Sequence, residues 1–313
     1  ILTNFAEQGL PGKINIESEN RKDSADTDTY PLFIIAADKL ERHFRTNDKI
    51  EEAREKAISE LEMDENGVVK HSPKGTWMDT LEREKAVDIQ SLWIEAAEIE
   101  GTDEKEKLKK GLESFQKTDY VKDNLGQNDS ETINPAVSLM FRQFKEEHAT
   151  NYLEKINAEF SSRFGARTRS LIDPGYSASG YHTGSSWGLT TGWAAAANLA
   201  YGNTKQGKNF LEKMNQFLDR NQLGALPEIV NSEKGELLGC SEQAWSAGLI
   251  VHVIDTYLLG IDVKNPNKIV VNPADGLTCV RSGKNVGENV VDIKVEDGNA
   301  EVRNNPEMEI IMK

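Results

Sequence analysis

Helical periodicity in this chain comes in pairs, and that pairing narrows the possible folds more than any other feature. Apolar residues recur at three- and four-residue spacing over Tyr30 to Phe44 and Lys49 to Met63, joined by the short turn Thr46-Asn47-Asp48. A second pair, Arg83 to Ile99 and Lys105 to Lys117, breaks at Gly101-Thr102-Asp103, where Thr102 or Asp103 can cap the next helix. Pro135 to Lys145 with Asn151 to Phe164, and Leu189 to Tyr201 with Lys208 to Arg220, repeat the pattern, and Glu242 to Leu258 adds a last helix. Ile1 to Gln8 reads as the tail of an earlier helix, stopped by Gly9-Leu10-Pro11-Gly12. Loops within pairs are short and loops between them long. That alternation predicts hairpins stacked in a ring or solenoid, with the long loops on one rim.

Near residue 263 the texture changes. Ile269-Val270-Val271 and Val290-Val291-Asp292-Ile293-Lys294-Val295 are β-branched or alternating, with Gly and Asn turns. The chain therefore divides into a helical part, 1–262, and a short β-rich tail, 263–313.

Composition excludes several functions. Over 313 residues, Lys+Arg 37 against Asp+Glu 52 gives a net charge of −15, which repels a phosphate backbone, and no basic cluster offsets it. Nucleic acid is not an expected partner. No apolar run reaches the length of a membrane span, and the two cysteines, Cys240 and Cys279, lack metal-ligand spacing, so they read as reduced thiols in a cytoplasmic protein. Glycines 180, 184 and 188 follow no strand and precede no Lys-Ser/Thr, which disfavours a nucleotide loop. The start, in mid-helix pattern and without Met, suggests a piece of a longer polypeptide.

The long loops hold the chemistry. Gly75-Thr76-Trp77-Met78-Asp79 sets a carboxylate beside an indole; Tyr181-His182-Thr183-Gly184-Ser185-Ser186-Trp187 lies in a loop of about twenty residues; and Leu226-Pro227-Glu228 precedes Cys240-Ser241-Glu242-Gln243-Ala244-Trp245-Ser246. An aromatic face stacks on the C–H face of a sugar ring, and a pair of carboxylates protonates the leaving oxygen and activates water. Asp79 and Glu228 are the candidate pair. On the residues alone Asp79 also reads as a helix N-cap, Trp77 as a core edge, Glu228 as a loop-surface acid and His182 as a structural histidine.

Together Thr76-Trp77-Met78-Asp79, the run Ala86 to Trp93, Arg167-Thr168, Tyr181 to Trp187, Leu226-Pro227-Glu228-Ile229 and Gln243-Ala244-Trp245-Ser246 resemble the C-terminal amylo-α-1,6-glucosidase domain of glycogen debranching enzymes. The resemblance covers roughly 1–262. It implies an all-α (α/α)6 toroid of six-hairpin glycosidase type, here lacking its first helices. It also implies hydrolysis of α-1,6-linked glucose at branch points of glycogen or limit dextrin, with inversion. By the same match Asp79 is the general acid and Glu228 the general base, while Asp28, Trp77, Arg83, Arg167, Tyr181, His182, Trp187, Gln243 and Trp245 surround the sugar. No cofactor or metal is implied. The expected partners are α-glucans, including branched oligosaccharides, and an N-terminal segment or domain of the same polypeptide. A glucoamylase-like or trehalase-like α-glucosidase and an inactive glucan-binding remnant are the alternatives.

Overall fold

The computed structural model describes residues 27–117, 120–220, 224–303 and 308–313. The helix expected at Ile1 to Gln8 and the loop after it lie outside them, apart from the loop's last residues. The described residues form two compact units, one from 27–41 and 45–130, the other from 42–44 and 131–313.

The first unit holds α1 (Thr29–Glu41), α2 (Asp48–Ser59), α3 (Val87–Glu100) and α4 (Glu104–Glu113). Helix α3 is buried almost all round, including Ile89, Trp93, Ile94 and Ala97, and packs on α1 and α4. A helix buried on nearly every face sits at the centre of its unit. Its polar Gln90 is fully buried but satisfied: Oε1 accepts the Val69 amide at 2.8 Å, and Nε2 donates to the carbonyls of Gly67 (2.9 Å) and Leu108 (2.7 Å). Asn47 caps α2 by accepting the Ile50 amide, and Gly101 ends α3 in the left-handed conformation, φ 67°. Arg83, expected at the start of α3, lies outside it, because residues 83–86 are still loop and Lys85 takes φ 54°.

The second unit contains α5 (Ala136–Met140), α6 (Glu146–Lys155), α7 (Gly188–Ala200), α8 (Thr204–Asn215) and α9 (Ala244–Val253); π-helical turns at Ile156–Phe160 and Ile254–Leu258 extend α6 and α9. Ala194 to Ala197 of α7 are fully buried, and α5, α8 and α9 all pack on that helix. Small side chains let three helices approach one.

The all-α expectation is overturned by ten strands in three sheets among the described residues. Four of them, β1 (Ser161–Ser162), β2 (Gly165–Arg167), β3 (Ser186–Trp187) and β4 (Ile229–Val230), form an antiparallel sheet inside the helical region. Strands of two or three residues leave no alternation for a sequence pattern to show. The others, β5 (Ile261–Asn265), β6 (Lys268–Val271), β7 (Cys279–Val286), β8 (Asn289–Glu296), β9 (Asn299–Arg303) and β10 (Glu309–Met312), make two three-stranded sheets. Val291, Ile293 and Val295 of β8 point inward, joining Leu259, Ile261, Val271 and Met308 in one apolar core. Asp255, in the second π-turn, is tied to β7 by Arg281 Nε (2.8 Å) and Lys284 Nζ (3.0 Å). Burial pushes its carboxyl up, but these two cations outweigh it and hold the group below the ordinary aspartate range.

Candidate active site

In the first unit the chain leaves His71, runs through the loop 72–85 and enters α3. Met78 is fully buried and anchors the loop, leaving Trp77 half-buried and Asp79 exposed on either side of it. Asp79 is not a helix cap: Ala86 occupies that position on α3. The Thr27 amide donates to the Gly75 carbonyl at 3.0 Å, which brings half-buried Asp28 alongside the loop. A Cβ at Gly75 would lie 2.4 Å from Ser72 Oγ and 2.9 Å from Thr27 Oγ1, so a larger residue there would have to turn those two hydroxyls aside.

Arg83 is fully buried. Its guanidinium takes Asp123 bidentately (Nε–Oδ2 2.7 Å, Nη2–Oδ1 2.8 Å), Asp88 Oδ1 at 2.5 Å and Thr76 Oγ1 at 3.1 Å. Burial alone would favour its neutral form; the two carboxylates more than reverse this and raise its pKa. Arg83, which the resemblance puts near the sugar, pins the stem of the Trp77–Asp79 loop to α3 and to the 120–125 segment. Its donors are committed to protein partners.

In the second unit the short sheet gathers residues far apart in sequence. Trp187 pairs with Ala166 on one side and Ile229 on the other, and Arg167 pairs with Ser186. Glu228, next to Ile229, is therefore carried up beside Trp187. It is 8% exposed, not a surface acid. Tyr181 Oη donates to Glu228 Oε1 at 2.5 Å, and the Cys240 amide donates to Oε2 at 3.0 Å. Gly239 leaves room for that carboxylate, since a Cβ there would lie 2.4 Å from Oε2.

The aromatic residues form one cluster. Tyr181 meets Trp187 edge-on at 4.7 Å, buried His182 stacks on Trp187 at 5.3 Å, and Trp245 is tilted against Trp187 at 6.0 Å. The Trp187 indole donates to the Tyr181 carbonyl at 2.9 Å, fixing the plane of the cluster. Tyr181 and Trp245 remain 44% and 39% exposed, so the cluster offers aromatic surface as well as core. Gln243 caps α9 through Oε1, which accepts the Ala244 amide at 3.1 Å, and its own amide donates to the Leu226 carbonyl. Arg167 donates to the Ser161 carbonyl and to Tyr176 Oη at 3.3 Å. Nearby Lys213 donates to Ser161 Oγ at 2.5 Å; burial, then the charge of Arg167, depress its pKa.

Sequence reasoning passed over Asp123, Gly239 and the Cys240 backbone. Asp123 sits in a polar loop with no apolar periodicity around it, and a backbone amide leaves no trace in residue type. Ser246, the last residue of the Gln243-Ala244-Trp245-Ser246 motif, donates its hydroxyl to the Pro227 carbonyl at 2.9 Å and so ties α9 to the residue before Glu228.

The family model described as amylo-alpha-1,6-glucosidase matches residues 26–252. The chain belongs to that family. Membership places it among the glycoside hydrolases, with a carbohydrate as substrate. Solved structures share the fold at low identity. A GH63 mannosylglycerate hydrolase from Thermus thermophilus, in complex with glucose, superposes with a TM-score of 0.56 at 12% identity over 72% of this chain and 75% of that one. An uncharacterized conserved protein from the same organism gives 0.55 at 13% identity over 75% and 81%. A sialidase gives 0.57 at 12% identity, over 89% of this chain but 30% of its own. No curated protein matches the sequence. Among the described residues no helix is long and apolar enough to cross a membrane, and no group of three or more His, Cys, Asp or Glu is placed to hold a metal ion.

Proposed function

We propose that this chain hydrolyses α-1,6-linked glucose at the branch points of glycogen or limit dextrin. In this reading Asp79 protonates the glycosidic oxygen, and Glu228 deprotonates the water that attacks the anomeric carbon with inversion. One observation carries most of the support: the Glu228 carboxylate is buried beside an aromatic cluster and fixed at both oxygens, by Tyr181 and by the Cys240 amide. A carboxylate locked in one rotamer next to an exposed aromatic surface suits a base that must address water over a sugar ring. Trp77, Trp245 and Tyr181 supply stacking surface, and Asp28, Arg167, His182 and Gln243 complete the proposed sugar environment. The glycosidase part is proposed to run to about residue 262, with the tail from 263 apart from the chemistry, and the cytoplasm is the proposed compartment.

The test is glucose release from a phosphorylase-limit dextrin, with the product anomer followed by NMR. β-Glucose from the parent, and a rate lowered by about three orders of magnitude or more in Glu228→Gln, supports the proposal. α-Glucose would remove inversion. Faster turnover of maltose-type than of isomaltose-type substrates would move the chain to a different α-glucosidase specificity. Glycogen co-sedimentation without glucose release would leave only binding.

A further inference from the structure

One side chain closes the neck of the loop that carries Trp77 and Asp79. His71 Nε2 accepts the Ala86 amide at 2.7 Å, joining the two ends of the span 72–85. Its Nδ1 lies 2.9 Å from the Ser72 carbonyl oxygen. An amide only donates and a carbonyl only accepts, so both partners require the same neutral tautomer, with the proton on Nδ1 and Nε2 bare. Inside the neck a second bond, Arg83 N to Pro73 O at 2.8 Å, keeps the strands of the loop together.

The Ala86 amide is also the point where α3 begins. That helix has no side-chain cap, and the next amide, Val87, is taken by the Asp123 carbonyl at 2.9 Å. His71 therefore fixes where the loop stops and the helix starts. An imidazolium would set N–H against N–H at this junction. Burial is the largest influence on the ring and disfavours its charged form; of the charged groups facing it, Asp88 of α3 and Asp123 of the 120–125 segment favour the cation, and Arg83 of the loop opposes it. Both carboxylates are already engaged by Arg83.

We propose that His71 is a positioning residue: its neutral ring holds the Trp77–Asp79 loop closed, and protonation of Nε2 opens it. The catalytic consequence rests on the reading of Asp79 as the acid, whereas the closure itself does not.

The experiment combines two readouts on the full chain. Histidine 15N NMR, with His71 assigned by its loss in His71→Gln, should show Nε2 unprotonated at neutral pH. Hydrogen exchange, corrected for intrinsic rates, should show protection of amides 72–86 falling in the parent through the midpoint of the His71 titration. His71→Gln, whose Oε1 can take the place of Nε2 without titrating, should lack that step. It should also turn over near the parental rate at neutral pH, with an acidic limb of kcat/KM shallower by one proton. His71→Ala should lose about tenfold or more in kcat. A protonated Nε2 at neutral pH, or the same loss of protection in His71→Gln, overturns the proposal. If both structural readouts hold but even the parent releases no glucose, the reading of Asp79 fails and the role of His71 stands.

Discussion

The Tyr181 hydroxyl donates to Glu228 Oε1 at 2.5 Å, while the same ring meets Trp187 edge-on at 4.7 Å. The tyrosine thus ties the proposed base to the aromatic surface beside it. Tyr181→Phe keeps the ring and removes one charge-assisted bond, which is worth about 1.5–3 kcal/mol. The expected result is a fall in kcat of about tenfold or more from the misoriented carboxylate, with a loss of unfolding stability no larger than that one bond. An unchanged kcat would show that Tyr181 does not orient the carboxylate.

Gly239→Ala tests the same carboxylate from the other side. The new methyl must displace Glu228 Oε2 or move the 239–240 backbone away from it. Turnover should fall by about tenfold or more, while glucan binding measured in the absence of turnover changes little.

Arg83 clips Asp88 and Asp123 together, and this role separates experimentally from a sugar contact. Arg83→Met leaves Asp88 and Asp123 buried without their cation, and urea unfolding should show a loss of about 3–5 kcal/mol. A variant of undiminished stability but raised KM would return Arg83 to the sugar.

Asp255 joins the end of the last helix to the sheet through Arg281 and Lys284. Because its folded pKa is lowered, its contribution is fully present above the unfolded value of about 3.9 and is lost as pH falls through the folded one. Asp255→Asn should lower stability at neutral pH by about 1.5–3 kcal/mol. The difference from the parent should shrink below about pH 4.

The longer helices were legible because they have enough turns to express a period: Val87–Glu100 and Gly188–Ala200 lie within a few residues of where apolar spacing put them, whereas Ala136–Met140 is only five residues long where Pro135 to Lys145 was expected, and Glu146–Lys155 starts ahead of the expected Asn151. The tail's strands were legible for the same reason, Val291, Ile293 and Val295 alternating with Asp292 and Lys294. The sheet of β1 to β4 was not, because its strands are shorter than any repeat and are stabilised by partners as remote as Ser186 and Val230. Residue types around Glu228 flagged an aromatic and acidic loop, but its burial depends on Gly239 and on a backbone amide at Cys240, contacts that only the folded chain defines. The ion pairs of Arg83 were not legible, because an arginine in a motif reads the same whether its fork meets a ligand or two buried aspartates.

The small sheet also bears on how the molecule comes together in time. Its strands are drawn from Ser161 to Val230 and share only a few pairings each, so none persists until the intervening chain has been closed into place. Helices such as Gly188–Ala200 have local contacts and can form early. On refolding from urea, far-UV ellipticity should therefore recover before Trp187 acquires its native fluorescence and before any hydrolysis returns. A nascent chain would pass through a stage that is already helical and not yet an enzyme.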